Sequence, residues 1–164
     1  MAEQRALIVL NGSVQRTADG DTIYGGSGSA LDGLPDTDHT ANGPHTNTFA
    51  AGATITAMDL VYLGTLSKWL QTDADAEATA KGMLGISLES KTDTQAMDVA
   101  LTGSFIRDDT WAWTPGAPLY VGLTAGQITE TKPSATDDVV RIVGFAVSAD
   151  AIFFNPSPDY ITIV

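Results

Sequence analysis

The sequence predicts an all-β chain, a small β-barrel or β-sandwich of short strands with an extended N-terminal arm. Three observations carry that expectation. Apolar runs rich in Val, Ile, Leu and aromatic residues recur in stretches too short for helices. Gly, Pro, Asp or Ser stands between them, supplying turns. The first such run is cut off from the rest by a long polar tract. With 164 residues, 43% of them hydrophobic and only 17% charged, the chain can build a real core without staples.

Residues 1–23 read as a β arm or hairpin. Leu7, Ile8, Val9 and Leu10 form its apolar run, Asn11-Gly12 marks a tight turn and Asp19-Gly20 another. Residues 24–48, YGGSGSALDGLPDTDHTANGPHTNT, form a Gly/Asp/Thr-rich connector, because so few apolar side chains cannot offset the entropy of folding alone. Residues 49–164 form the β-barrel or sandwich domain. Its strand-like runs are ATITAMDLVYLG, GMLGISLES, AMDVALTGSF, PLYVGLT, QITET, VVRIVGFAVS, AIFFN and DYITIV. The stretch TDADAEATAKG is rich in Ala but has no broad apolar face, which predicts a loop or one helical turn.

A faint internal repeat runs through the domain. DLVYLG (59–64) is followed by GMLGISLE (82–89), and PLYVGL (118–123) by RIVGFAVS (141–148). Each unit reads as a strand, a polar excursion, and a strand with Gly at its middle, Gly85 or Gly144. A mid-strand Gly marks a bulge, a barrel corner or a close backbone approach.

Charge narrows the partners. Eight Lys and Arg against 20 Asp and Glu give a net charge of −12. Such a surface repels phosphate backbones and anionic lipid, so neither direct nucleic-acid binding nor membrane binding is expected. The same charge keeps a free subunit soluble and suits docking on a basic surface. The absence of Cys excludes disulfides, thiolate zinc sites and a Cys nucleophile. The opening MAEQRALIVLNG has an apolar run too short for a signal-peptide core, which predicts synthesis in the cytoplasm.

The search for chemistry gives little. His39 and His45 lie near Asp36 and Asp38, a mixed donor set that could ligate a metal, but a hydrated loop explains them equally well and no metal is expected. Asp73, Asp75 and Glu77 alternate like the opening of a calcium loop. Ala78 and Leu84 then stand where that loop needs Gly and Glu. Asp108-Asp109 and Asp137-Asp138 are adjacent carboxylates that diverge on turns. GGSGS is neither a nucleophile elbow nor a phosphate-binding loop. No catalytic residue, cofactor or small-molecule ligand is expected. Trp111 and Trp113, two apart, place both rings on one face of an extended segment. They read as core or subunit-interface aromatics, or as a stacking platform for sugars.

Two groups of motifs bring a family into view. RALIVLNGSVQRTADGDTI resembles the N-terminal segment of tailed-bacteriophage virion structural proteins. DLVYL, EATAKGMLGISLE, GAPLYVG, GQIT and VGFAVSADAIFFNPSPDYITIV resemble the β-domain of small head-decoration (cement) and fibre-like proteins. The resemblance implies a non-enzymatic protein on the outer capsid surface of a virion, trimeric, with the major capsid protein and itself as partners. It would stabilise the shell, with arms reaching neighbouring subunits. The arm would dock through Arg5, Leu7, Ile8, Val9, Leu10 and Arg16, adding a strand to another sheet edge. The simplest decoration proteins begin almost directly with the β-domain; the added arm is more fibre-like. An adaptor of the tail, collar or a head fibre is therefore the alternative, and a carbohydrate-binding module the alternative of another class.

Overall fold

The computed structural model describes residues 7–10, 13–16 and 33–164. The two early stretches are antiparallel strands, β1 (Leu7–Leu10) and β2 (Ser13–Arg16), with Leu10 opposite Ser13 and Leu7 opposite Arg16. Arg5 and the stretch 17–32 lie outside the described residues.

The body is almost wholly β. In chain order its strands are β3 (Thr40–Asn42), β4 (His45–Thr46), β5 (Ala50–Ala51), β6 (Leu60–Leu63), β7 (Lys68–Gln71), β8 (Leu84–Ser87) and β9 (Val99–Ala100). There follow β10 (Ser104–Arg107), β11 (Pro118–Val121), β12 (Ile128–Thr129), β13 (Val139–Val140), β14 (Ile142–Ala146), β15 (Ala151–Phe154) and β16 (Ile161–Thr162). One helical turn, α1 (Glu77–Ala80), lies between β7 and β8. Two six-stranded sheets form from these, ordered β4-β9-β8-β6-β7-β5 and β12-β11-β14-β15-β10-β3, while β13 and β16 pair separately. Among the described residues no helix is long and apolar enough to cross a membrane.

The faint repeat is a repeat of structure. β6 pairs antiparallel with β8, and β11 with β14, and each pair puts its mid-strand Gly opposite an apolar residue: Val61 with Gly85, Leu119 with Gly144. Neither Gly leaves room for a side chain. A Cβ on Gly85 would lie 2.4 Å from Val99 Cγ1, and one on Gly144 would lie 2.2 Å from the Phe153 carbonyl oxygen. In both units the excursion begins with a hairpin partner, β7 or β12, on the outer side of the first strand.

The first sheet curls closed. β5 runs parallel to β7 on one side, and on the other Ala50 bridges Ala96, with the Ala51 N–H donating to the Gln95 carbonyl at 2.9 Å. The closed sheet wraps a small core of Ala51, Ile55, Val61, Trp69, Met97 and Val99. A second, larger core lies between the sheets, with Leu60, Leu84, Ile86 and Ala100 facing Ile106, Leu119, Val121, Val143, Ile152 and Phe154. β6 and β8 therefore bury side chains on both faces, which is why LVYL and LGIS read as near-continuous apolar runs. Each fully buried Leu, Ile, Val or Phe here contributes about 1.5–3 kcal/mol of transfer free energy.

The sequence places the domain start at Phe49, and the structure differs. The connector expected over 24–48 supplies β3 and β4, two halves of one bent ribbon that passes from sheet to sheet. β3 pairs with β10, β4 with β9. At the corner, Gly43 has φ +146° and its α-carbon faces Ser104 so closely that a Cβ would lie 2.6 Å from Ser104 Cα. The Pro44 carbonyl accepts from both the Leu101 N–H (2.8 Å) and Ser104 Oγ (2.9 Å). Backbone pairing, rather than apolar content, recruits this polar stretch into the body.

Candidate functional site

Both histidines come together at that corner. His39, in a left-handed conformation (φ +53°), immediately precedes β3, and His45 opens β4. They line one groove of about 550 Å³ with Asn47, Leu88, Glu89 and Asp98. His45 Nδ1 lies 2.8 Å from Asp98 Oδ1. Glu89 accepts from the Asp98 N–H (3.0 Å) and pairs with Lys91 (2.9 Å). Burial pushes the Glu89 carboxyl up, but these two donors outweigh it and hold it below its ordinary value.

Beyond His39 lies a carboxylate cluster. His39 Nε2 is 3.7 Å from Asp38 Oδ2 and 3.9 Å from Asp108 Oδ1. The adjacent carboxylates diverge: Asp108 is buried and accepts from the N–H and hydroxyl of Thr110, while Asp109 turns outward to Arg107 Nε at 2.7 Å. Arg107 also reaches Asp150 at 2.6 Å. The Asp109 bond above all, together with the charges of Asp109, Asp150 and Asp38, holds its guanidinium above its ordinary pKa and outweighs the opposing effect of burial. The other acidic motifs close on themselves. Asp138 accepts from the Ser134 and Ala135 N–H groups, Asp75 N–H donates to Asp73, and Glu77 pairs with Lys81 at 2.8 Å. Among the described residues no hydroxyl is hydrogen-bonded to either imidazole, so the His45–Asp98 pair has a base and an orienting carboxylate without a positioned nucleophile.

Trp111 and Trp113 follow the turn at Asp108. Their rings lie 5.6 Å apart and tilted by 53°, half-buried against the larger core. Trp113 Nε1 is buried with no acceptor in the described structure. The tilt denies a sugar one continuous stacking plane.

A third feature was not visible in the sequence. On the outer face of the second sheet, opposite residues share a face, and the register aligns Asn42, Phe105, Phe153, Phe145 and Pro118 across β3, β10, β15, β14 and β11. Phe105 and Phe153 pack at 5.0 Å, and Phe145 remains 45% exposed. Tyr120 and Ile142, opposite each other, extend the patch. The pairings of β10 with β15 and of β15 with β14 bring Phe105, Phe153 and Phe145 into one line, and a β-bulge between Leu119 and Tyr120 shifts the register of β11 beside them.

Of the arm residues singled out from the sequence, Leu7–Leu10 form β1 and Arg16 ends β2, while Arg5 lies outside the described residues. No family model, curated protein or solved structure matches the chain.

Proposed function

We propose that the chain is a non-enzymatic structural protein of a tailed-phage virion, which decorates and stabilises the outer capsid as a homotrimer. The observation that carries the reading is the aromatic row on the outer face of the second sheet. It crosses five strands, about 19 Å at the spacing of β-sheets, and contains no charged residue. Copies of a chain with net charge −12 repel each other except where charge is sparse, so this row favours a second copy of the chain as its occupant. The residue motifs of decoration proteins support the same reading. The arm, residues 1–23, is then left to engage the major capsid protein, and three arms per trimer bind with avidity.

Light scattering and addition to undecorated shells test both halves. Wild type is expected to be trimeric, Phe145→Asp monomeric but folded, and a chain lacking residues 1–23 trimeric but unable to decorate. A monomeric wild type overturns the self-association, and full decoration by the truncated chain overturns the role of the arm.

A further inference from the structure

We propose that Asp38, His39 and Asp108 form a binding site for one divalent transition-metal ion of the zinc class. The three donor atoms lie within 4.8 Å of one another and come from two separate parts of the chain. Tetrahedral ligands around a zinc-sized ion sit about 3.4 Å apart when each bond is about 2.1 Å. The 3.7 and 3.9 Å separations from His39 need to close by a few tenths of an ångström, and the third pair, Asp38 and Asp108, lies within 4.8 Å.

Charge gives an independent reason for a cation. The Asp108 side chain is only 7% exposed, and among the described residues no Lys or Arg pairs with it. Two hydrogen bonds from Thr110 offset part of the cost of burying this carboxylate, and a cation would supply the Coulomb attraction it lacks. Arg107, the cation of this neighbourhood, is taken up by Asp109 and Asp150. Arg107 feels the charge of Asp38 but lies beyond ion-pair distance of it, and among the described residues His39 alone stands within that distance of both Asp38 and Asp108.

The surroundings suit ligation. The Asp109 N–H donates to Asp38 Oδ1 (2.8 Å), which fixes this carboxylate and leaves Oδ2 toward His39. Thr110 fixes Asp108 differently, donating its N–H and hydroxyl to Oδ1, the oxygen 3.9 Å from His39 Nε2, so an ion bound there shares that oxygen with Thr110. His39 also borders the groove, which gives an entry path and room for water to complete the coordination. One imidazole nitrogen among three protein donors favours zinc-like ions over calcium, which takes six to eight oxygens. Bound there, the ion would clip the segment entering β3 to the end of β10.

Isothermal titration of the full chain with zinc chloride, in a buffer that does not chelate, is the test. Wild type is expected to take one equivalent at about 100 µM free zinc or less, and the melting temperature to rise by about 5 °C at saturation. Cobalt(II) in place of zinc should give visible d–d bands. His39→Ala and Asp38→Asn, both at exposed positions, should each weaken binding by about tenfold or more, while His45→Ala leaves it unchanged. The Asp38 variant keeps the test decisive if replacing buried Asp108 unfolds the chain. Less than one equivalent bound by wild type, full affinity in His39→Ala, equal loss in His45→Ala, or tighter binding of calcium than of zinc would each overturn the proposal.

Discussion

Replacing Gly144 with Ala should be among the most damaging single-methyl additions to this protein. The new Cβ would sit 2.2 Å from the Phe153 carbonyl oxygen, with the Phe153 carbonyl carbon at 3.2 Å and Phe154 Cα at 3.3 Å. All three are backbone atoms of the neighbouring strand, so no side chain can swing aside. A normal contact requires β14 and β15 to separate locally by about 1 Å, which forfeits about two ladder hydrogen bonds at about 1 kcal/mol each. Strain of the overpacked core adds about 2 kcal/mol. Restricting the unfolded chain returns about 0.7 kcal/mol. The net is a destabilisation of about 3 kcal/mol, a large part of the 5–15 kcal/mol typical of a domain, and a fall in melting temperature of about 6–12 °C. Urea unfolding should show it as a lower midpoint at constant slope. Gly85→Ala provides the comparison. Its new Cβ meets a side-chain atom, Val99 Cγ1 at 2.4 Å, and the Ala100 carbonyl oxygen only at 3.0 Å, so it should cost about 2 kcal/mol. A Gly144→Ala variant within about 1 kcal/mol of wild type, or one more stable than Gly85→Ala, would refute the reasoning from backbone contact.

Two other perturbations have clear signs. Asp59 accepts from the Thr56 N–H and Gln71 Nε2, both at 2.8 Å, yet burial outweighs these bonds and raises its carboxyl above the ordinary value. A folded pKa above the unfolded one means that stability is greatest with the group protonated and is lost as pH rises through the raised value. Asp59→Asn should therefore be more stable than wild type near neutral pH, with the gain vanishing below about pH 4; melting curves across pH would show it. Arg141 is 5% exposed, and among the described residues no carboxylate pairs with it. Its guanidinium donates to the carbonyls of Ser157 (2.8 Å), Ala80 (2.8 Å) and Gly82 (3.0 Å), and burial lowers its pKa. Arg141→Met should cost about 2–4 kcal/mol in denaturant unfolding, and Arg141→Lys should recover little, because one ammonium cannot span carbonyls on two sides.

The strands legible in the sequence are those whose own side chains require burial. LVYL, LGIS, PLYV, IVGFA and AIFF announce themselves through β-branched and aromatic residues, and the repeat was readable because both units need Gly at the same place. TAN, AA and KWLQ are strands for reasons outside themselves. Ala50 and Ala51 become β5 because a slot exists between β7 and residues 94–97, and Thr40–Asn42 because β10 has an open edge. Pairing of this kind overrides propensity. The site divides in the same way. The histidines stood out as the only two in the chain, but nothing local joins His39 to Asp108, which the bend of the 40–46 ribbon and the end of β10 bring together. The phenylalanine row depended on the pairing of β10, β15 and β14, which no periodicity reveals.

The wall formed by β6 and β8, lined by one core on each face, has a consequence for how the molecule comes apart. A sheet whose two sides are held by different cores cannot release one without exposing the back of the other. The repeated halves should therefore melt as one cooperative unit, and their amides should share one slowest class of hydrogen exchange. A fragment ending between the repeats would keep Trp69 enclosed but leave Leu60, Leu84 and Ile86 facing water. The two similar units share one core and stand or fall together.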